Sequence, residues 1–376
     1  MKKRIAIIGG GPGGLTLARL LQAKGIDCTV HERDLSRDVR VQGATLDLHA
    51  DSGLKALQEG GLMEAFKANY RPGADKTLIM DKYATILLDE HVNEKEEFFR
   101  PEIDRGPLRD ILLDSLKPGT VVWNSYLQSL EKKDDHWILR FQNGMMASAD
   151  LVIAADGANS KVRPYITPIR PFYTGYTAVE GAVYHAETRA PRIHRLLSGG
   201  KIFALSDEKT LIAGAKGDGS LAFYLGLAAP EDWYHRSDID FSNNKQVLAW
   251  FQETFTGWDP IWYELFENAE PHFIPRPQFC IPPDQYWEPL PDLTMLGDAA
   301  HLMPPYAGEG VNMAMLDALE LSRCLSSAEF SDTQAAIAAY ERQMRTRSGA
   351  IATMTLEQTA SLHSVNAIAG MMALLA

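Results

Sequence analysis

The residues best suited to chemistry lie in three separated stretches. Gly9, Gly11 and Gly14 form G-x-G-x-x-G directly after the apolar run Arg4–Ile8. A second apolar run, from Asp150, ends in Asp156-Gly157 and is followed by Ser160 and Arg163. A third, from Met295, ends in Gly297-Asp298, turns through Pro304-Pro305 and reopens after Gly308 and Gly310. A carboxylate at the end of a buried strand costs free energy unless a partner satisfies it. Glycine and proline at that density demand special backbone geometry. In the first stretch each glycine has a task. Gly9 makes the tight turn, Gly11 lets backbone approach a pyrophosphate, and Gly14 lets helix and strand pack closely. The helix that follows would then present unpaired N–H groups and a positive dipole end to phosphates. Glu32 is placed to accept hydrogen bonds from a ribose hydroxyl. This is dinucleotide chemistry, and the first motif alone does not choose between NAD and FAD.

The elements needed to position these groups are legible nearby. Leu17, Leu20 and Leu21 share one face of a helix over Leu15–Lys24, and Gly25 stops it. A strand over Asp27–His31 then delivers Glu32 to the site. Between the second and third stretches, alternation predicts a strand over Phe172–Tyr184. Shorter strands are predicted over Lys201–Ser206, Thr210–Ala215 and Leu221–Leu227, separated by Gly199-Gly200, Asp207-Glu208 and Gly217-Asp218-Gly219. They read as an antiparallel sheet. Residues 334–376 have helical periodicity and no proline, which predicts one or two long closing helices.

Composition narrows the function classes. The chain has 376 residues, long for one core, so two domains are expected. Net charge is −12 with no long basic run, which argues against nucleic acid. Cys28, Cys280 and Cys324 are far apart and read as reduced thiols of a cytoplasmic protein. The ten histidines show no metal-ligand spacing, so no metal is expected. The opening Met-Lys-Lys-Arg resembles a signal n-region, but the apolar run behind it is too short for an h-region. No apolar stretch reaches transmembrane length, and the tail 367–376 is expected to pack rather than anchor.

Taken together, the three stretches resemble the fingerprints of the flavin-dependent aromatic hydroxylases, the group A monooxygenases. G-x-G-x-x-G, D-G-x-x-S-x-x-R and G-D-A-A-H-x-x-P-P occur here in that family's order. Glu32–His49, Glu102–Leu116 and Gly297–Asn312 look more particularly like the tetracycline destructases. The resemblance implies an α/β fold: a Rossmann-like FAD-binding domain, an antiparallel-sheet substrate domain and a C-terminal bridging helix. The expected bounds are 1–62, 100–170 and 284–330 for the FAD-binding domain, 63–99 and 171–283 for the substrate domain, and 331–376 for the bridging helix.

It also implies residue roles. Gly9, Gly11, Gly14, Glu32, Arg33, Arg40, Asp47, Arg109 and Asp156 would bind the cofactor. Arg33 would contact the adenosine part, and Arg109 would reach the ribityl-diphosphate region. Asp298 would bond a ribityl or ribose hydroxyl. Pro305, Gly308, Gly310, Val311 and Asn312 would bring backbone against the flavin ring. Glu180, Lys201, Ala222, Pro304 and Tyr306 would line the substrate site. Asp47 and Arg109 as surface residues or an ion pair, and Glu180 with Lys201 as a structural ion pair, are the alternatives.

The implied reaction uses FAD, NADPH and O2. Oxygen adds at the flavin C4a position, and the resulting hydroperoxide hydroxylates a polycyclic phenolic or polyketide compound, tetracyclines first. No protein side chain is expected to act as catalytic acid, base or nucleophile, since the cofactor carries the hard step. At the destructases' glutamine, arginine and histidine positions this chain has Glu180, Lys201 and Ala222, which puts the tetracycline assignment in question. A different aromatic or polyketide substrate, dehydrogenation only, and a flavin-bound protein that sequesters its ligand without turnover are the competing readings. A monomer is expected.

Overall fold

The computed structural model describes residues 3–39, 45–92, 100–270 and 272–375. Arg40 therefore lies outside the described residues. Two sheets dominate, each with its own apolar core.

The first sheet has five strands in the order Leu293–Met295, Leu151–Ala154, Ile5–Ile8, Cys28–His31 and Val121–Val122. Every pairing is parallel. Ile5–Ile8 and Leu151–Ala154 are buried at every position, as strands covered on both faces must be. The ends of three adjacent strands, Leu293–Met295, Leu151–Ala154 and Ile5–Ile8, carry the three glycine-rich stretches, so segments from opposite ends of the chain meet at one end of the sheet. Helix Pro12–Ala23 packs against helix Gly310–Ser326. Proline in the first turn costs no hydrogen bond, and Leu15, Leu17, Leu20 and Leu21 are buried.

The second sheet has seven strands in the order Ile274–Cys280, Phe172–Val183, Leu221–Ala228, Lys209–Ala215, Lys201–Ser206, Thr77–Met80 and Ile86–Asp89. The four predicted strands are present within a residue or two of their expected bounds. One pairing departs from the antiparallel expectation: Thr77–Met80 runs parallel to Lys201–Ser206. The strand comes from the earlier segment, so no hairpin fixes its direction.

Alternation assigns the faces of this sheet. Val179, Val183, Leu211, Ala213, Leu221, Phe223 and Leu225 pack into a core with Trp250, Phe251 and Phe266 from the helices behind. The residues between them face the other way.

A three-stranded ribbon, Leu127–Lys133, His136–Phe141 and Met146–Ala149, was not anticipated. Its strands are half exposed and charged, so their apolar signal is weak. Helices Thr333–Leu362 and Ala367–Leu375 close the chain as expected.

Candidate functional site

The first turn has the geometry its glycines predict. Gly9 has φ +109°, and a Cβ there would lie 2.2 Å from the Ala155 carbonyl oxygen. A Cβ on Gly14 would lie 2.1 Å from the Gly9 carbonyl oxygen, so helix and strand touch at that point. A Cβ on Gly11 would meet nothing within 4 Å, so backbone there faces open space. Glu32 is buried. One carboxylate oxygen accepts from the Gly10 N–H and the other from the Asp34 N–H at 3.0 Å. The acid thus braces the glycine turn as well as standing at the end of its strand.

Arg33 is exposed. Arg109 donates to Asp34 Oδ2 and to the Arg37 carbonyl, each at 3.0 Å, and its guanidinium lies 5.4 Å from the centre of the Trp123 ring. It is a buried ion-pair member beside the loop after Cys28–His31, which was one of the two alternatives for it.

The second stretch fastens the third. Ser160 Oγ accepts from the Arg163 N–H at 3.0 Å, and Asp156 Oδ2 accepts from the Lys161 N–H at 2.7 Å. Asp156 Oδ1 is buried with no hydrogen-bond partner among the described residues, and burial raises this carboxyl above its ordinary value. The Arg163 guanidinium donates to the carbonyls of Ala299 and Ala300 at 3.1 and 3.0 Å and to Gln285 Oε1 at 2.7 Å. It therefore caps the single helical turn Asp298–His301. This function of the motif arginine was missed, although the arginine itself stands in the motif.

Asp298, the first residue of that turn, is exposed. Crowding by the surrounding protein raises its carboxyl, and His301 and Arg105 oppose the rise. The turn before it depends on Gly297, at φ +59°. Beyond it, Pro304 is buried, Pro305 is exposed and Gly310 opens the long helix. Val311 and Asn312 lie in the first turn, as expected. The Asn312 side chain is already engaged: Oδ1 accepts from the His49 N–H at 2.9 Å, and Nδ2 donates to the Asp47 carbonyl at 2.9 Å. The Asp47 carboxylate pairs with His49 at 3.1 Å and with Arg100 at 3.3 Å, and it lies against Gly308, where a Cβ would sit 3.0 Å from Asp47 Oδ1. Asp47 is thus both an ion-pair member and a neighbour of the glycine loop.

The open face of the seven-stranded sheet supplies the opposite wall. Glu180 stands beside Tyr224, and Ala222 stands between Gly214 and Ala182. Leu205 and Phe203 pack with Tyr306 from the Pro304–Gly308 loop, which fixes this face toward that loop. Three polar atoms converge over Gly226: a Cβ there would come within 2.4–2.6 Å of Thr210 Oγ1, His363 Nε2 and Tyr306 Oη. Glu180 is ion-paired with Arg276, and Lys201 with the buried Glu102. The proposed pairing of Glu180 with Lys201 does not occur; each has a different partner.

Arg105, absent from the expected site, opens helix Arg105–Asp114. It is exposed. Crowding by the surrounding protein lowers its guanidinium value, while Tyr224, Asp298 and Glu180 act in the opposite direction. One arginine therefore senses both walls. No spacing rule marked it, because a lone arginine near a helix start is common. Among the described residues no cluster of three or more His, Cys, Asp or Glu could hold a metal. No described helix is long and apolar enough to cross a membrane.

A parallel sheet with a glycine–acid turn at each of three strand ends, faced by a mostly antiparallel sheet, is the architecture of FAD-dependent monooxygenases. The family defined by an FAD binding domain matches residues 2–204 and 292–355, and the chain belongs to it. Among curated relatives, monooxygenase asqM of Emericella nidulans is 28% identical, over 92% of each chain. The 3-amino-4-hydroxybenzoate 2-monooxygenase PtmB3 of Streptomyces platensis is 28% identical, over 90% of this chain and 83% of its own. The crystal structure of tetracycline destructase Tet(55) superposes with a TM-score of 0.74 at 20% identity, covering 97% of this chain and 89% of its own. That likeness is one of fold. The curated relatives carry other monooxygenase names, so membership is established at the level of the FAD-dependent monooxygenases and not of the destructases. The residues present fit FAD: open space beside Gly11, a buried oxygen of Asp156 without a partner among the described residues and the exposed Asp298 stand just beyond three adjacent strands of one parallel sheet.

Proposed function

We propose that this protein hydroxylates a planar phenolic or polyketide-type compound in the cleft between the two sheets, using FAD, NADPH and O2. Bound FAD would supply the reduction of oxygen and its transfer to the ring. The protein's own part is binding, orientation and exclusion of water. Gly9, Gly11, Gly14 and Glu32 would hold the pyrophosphate and ribose end. Asp298 would accept from a ribityl hydroxyl, and the N–H groups of Val311 and Asn312 would face the flavin ring. Arg33, Asp47, Arg109, Asp156, Pro305, Gly308 and Gly310 complete the proposed cofactor set. The two cores correspond in this reading to the FAD-binding and substrate domains.

The observation that carries the substrate reading is the wall opposite Asp298. Gly214, Ala222 and Ala182 leave a low floor, Phe203, Ile212 and Tyr224 give apolar and aromatic contact, and Glu180, Arg276 and Arg105 form a charged end. A flat ring system with an acidic hydroxyl fits such a surface. Tetracyclines remain one member of that class. PtmB3, whose name gives an aminohydroxybenzoate, points to single-ring substrates as another.

The test is substrate-stimulated NADPH oxidation across a panel of tetracyclines, hydroxybenzoates and polyketide phenols, with mass spectrometry of the products. A product heavier by one oxygen supports the reading. Tight binding of a compound with no flavin reduction by NADPH would instead favour ligand sequestration.

A further inference from the structure

Tyr306 belongs to the Pro304–Gly308 loop, yet its side chain is held by the opposite wall. Its ring packs in an apolar cluster with Leu205 and Phe203 of the seven-stranded sheet and with Leu362 and Ile368 of the closing helices. Its hydroxyl stands 3.5 Å from His363 Nε2, and the two rings meet edge to face with centres 5.1 Å apart. His363 is buried at the end of helix Thr333–Leu362. It also packs on Tyr176 of strand Phe172–Val183, with ring centres 4.5 Å apart.

The imidazole has a defined orientation. Its Nδ1 lies 2.8 Å from the Thr359 carbonyl oxygen. A carbonyl only accepts, so Nδ1 carries the hydrogen. Burial holds the ring below its ordinary value, which leaves Nε2 a lone pair to accept from the Tyr306 O–H. Gly226 completes the junction. A Cβ there would lie 2.4 Å from Thr210 Oγ1, 2.5 Å from His363 Nε2 and 2.6 Å from Tyr306 Oη. Its backbone is not left-handed, so this glycine is explained by the close approach alone.

We propose that Tyr306 is a positioning residue, a bridge from the flavin loop to the substrate sheet, and that His363 and Gly226 fix the bridge and with it the gap in which flavin and substrate meet. The proposal rests on FAD binding in this cleft and is independent of which compound is hydroxylated. A gap held at constant width keeps the ring in reach of the flavin and keeps water out. The C-terminal helix is then part of the site's frame, although its residues come last in the chain and follow all three glycine-rich stretches.

The experiment measures iodide quenching of flavin fluorescence in the full-length protein loaded with FAD. His363 and Gly226 are assigned no contact with the cofactor, so a change at either reaches the flavin only through Tyr306. His363→Leu and Gly226→Ala should each raise the quenching constant at least about threefold while the FAD dissociation constant stays within about threefold of wild type. His363→Gln keeps an acceptor at the same place and should stay within about twofold of wild type. Tyr306→Ala should raise quenching as well, and His363→Leu should add nothing in that background, because both changes act through one side chain. No rise in His363→Leu and Gly226→Ala, a His363→Gln protein as exposed as His363→Leu, or a rise that adds to that of Tyr306→Ala would overturn the proposal. Should either single variant fail to fold, the other carries the test, with Tyr306→Phe, which loses one hydroxyl and no packing, expected to shift quenching in the same direction. A wild-type protein that takes up no FAD would overturn the cofactor reading and this proposal with it, whereas changes confined to the variants bear on the bridge alone.

Discussion

Arg163 donates to the carbonyl oxygen of Ala300 at 3.0 Å, across more than a hundred residues of sequence. The contact locks the Asp-Gly stretch of one strand to the Gly-Asp stretch of its neighbour. Its guanidinium also satisfies Ala299, Gln285 and Ile169, so one side chain fixes the loop geometry on which Asp298 depends. Arg163→Met should leave several buried acceptors without donors, each costing about 1–3 kcal/mol when left unpaired. The expected result is a fall in urea midpoint together with weaker FAD retention. An unchanged midpoint would contradict the role.

Asp298→Ala should weaken FAD binding by roughly 1.5–3 kcal/mol, the loss of one charge-assisted hydrogen bond, which is about 10- to 150-fold in dissociation constant. Gly11→Val should be more severe. The space beside Gly11 is open in the structure, so the apoprotein should fold normally and fail only when FAD is added. A yellow, folded Gly11→Val protein would remove the phosphate turn from the account.

The fold was readable largely because its signals are local. Ile5–Ile8, the glycines behind it and the strand ending at His31 fall in order within one short segment. The alternation of Phe172–Val183 likewise marks a sheet with one face on a core. What the sequence concealed is long-range. Arg105 acquires meaning only when the fold brings it within electrostatic reach of Tyr224, Asp298 and Glu180. Asp317 sits in mid-helix, where a charge normally reads as a solvated face, yet it is fully buried under Gly297 and His301. The family resemblance implies a substrate-lining role for Lys201. The structure gives it a buried carboxylate partner, Glu102, which no periodicity could reveal.

That pairing changes the expectation for Lys201. Lys201→Ala leaves Glu102 buried and unpaired, so it should destabilise the fold by about 3 kcal/mol before any effect on substrate is seen. Adding Glu102→Gln should restore much of the loss, because a neutral amide costs less to bury than an unpaired carboxylate. Glu180→Ala should behave differently. Its partner Arg276 is half exposed, so stability should hardly change and the effect should fall on KM. Urea unfolding of the three variants separates the two cases.

Glu341 gives a prediction about pH. It is fully buried, accepting from Trp287 Nε1 at 2.9 Å and Thr294 Oγ1 at 2.8 Å, and burial pushes its carboxyl up to about 7. Between its unfolded value near 4.5 and its folded value, the native state binds the extra proton. This group's contribution therefore falls as pH rises through that window and levels off above about 7. Glu341→Gln should remove that slope and be more stable than wild type at pH 8, by roughly 1–3 kcal/mol. Urea midpoints of both proteins at pH 5 and pH 8 test it. A parallel pH dependence in the two would contradict the assignment.

The central claim is that an FAD-bearing cleft transfers one atom of O2 to an aromatic ring. The direct measurement is single-substrate turnover under 18O2 with NADPH, followed by mass spectrometry of the product. The account predicts one 18O per product molecule, formed only with reduced cofactor, and abolished by Gly11→Val. NADPH consumption that yields hydrogen peroxide alone across the phenolic panel, or a product whose new oxygen comes from water, would contradict it.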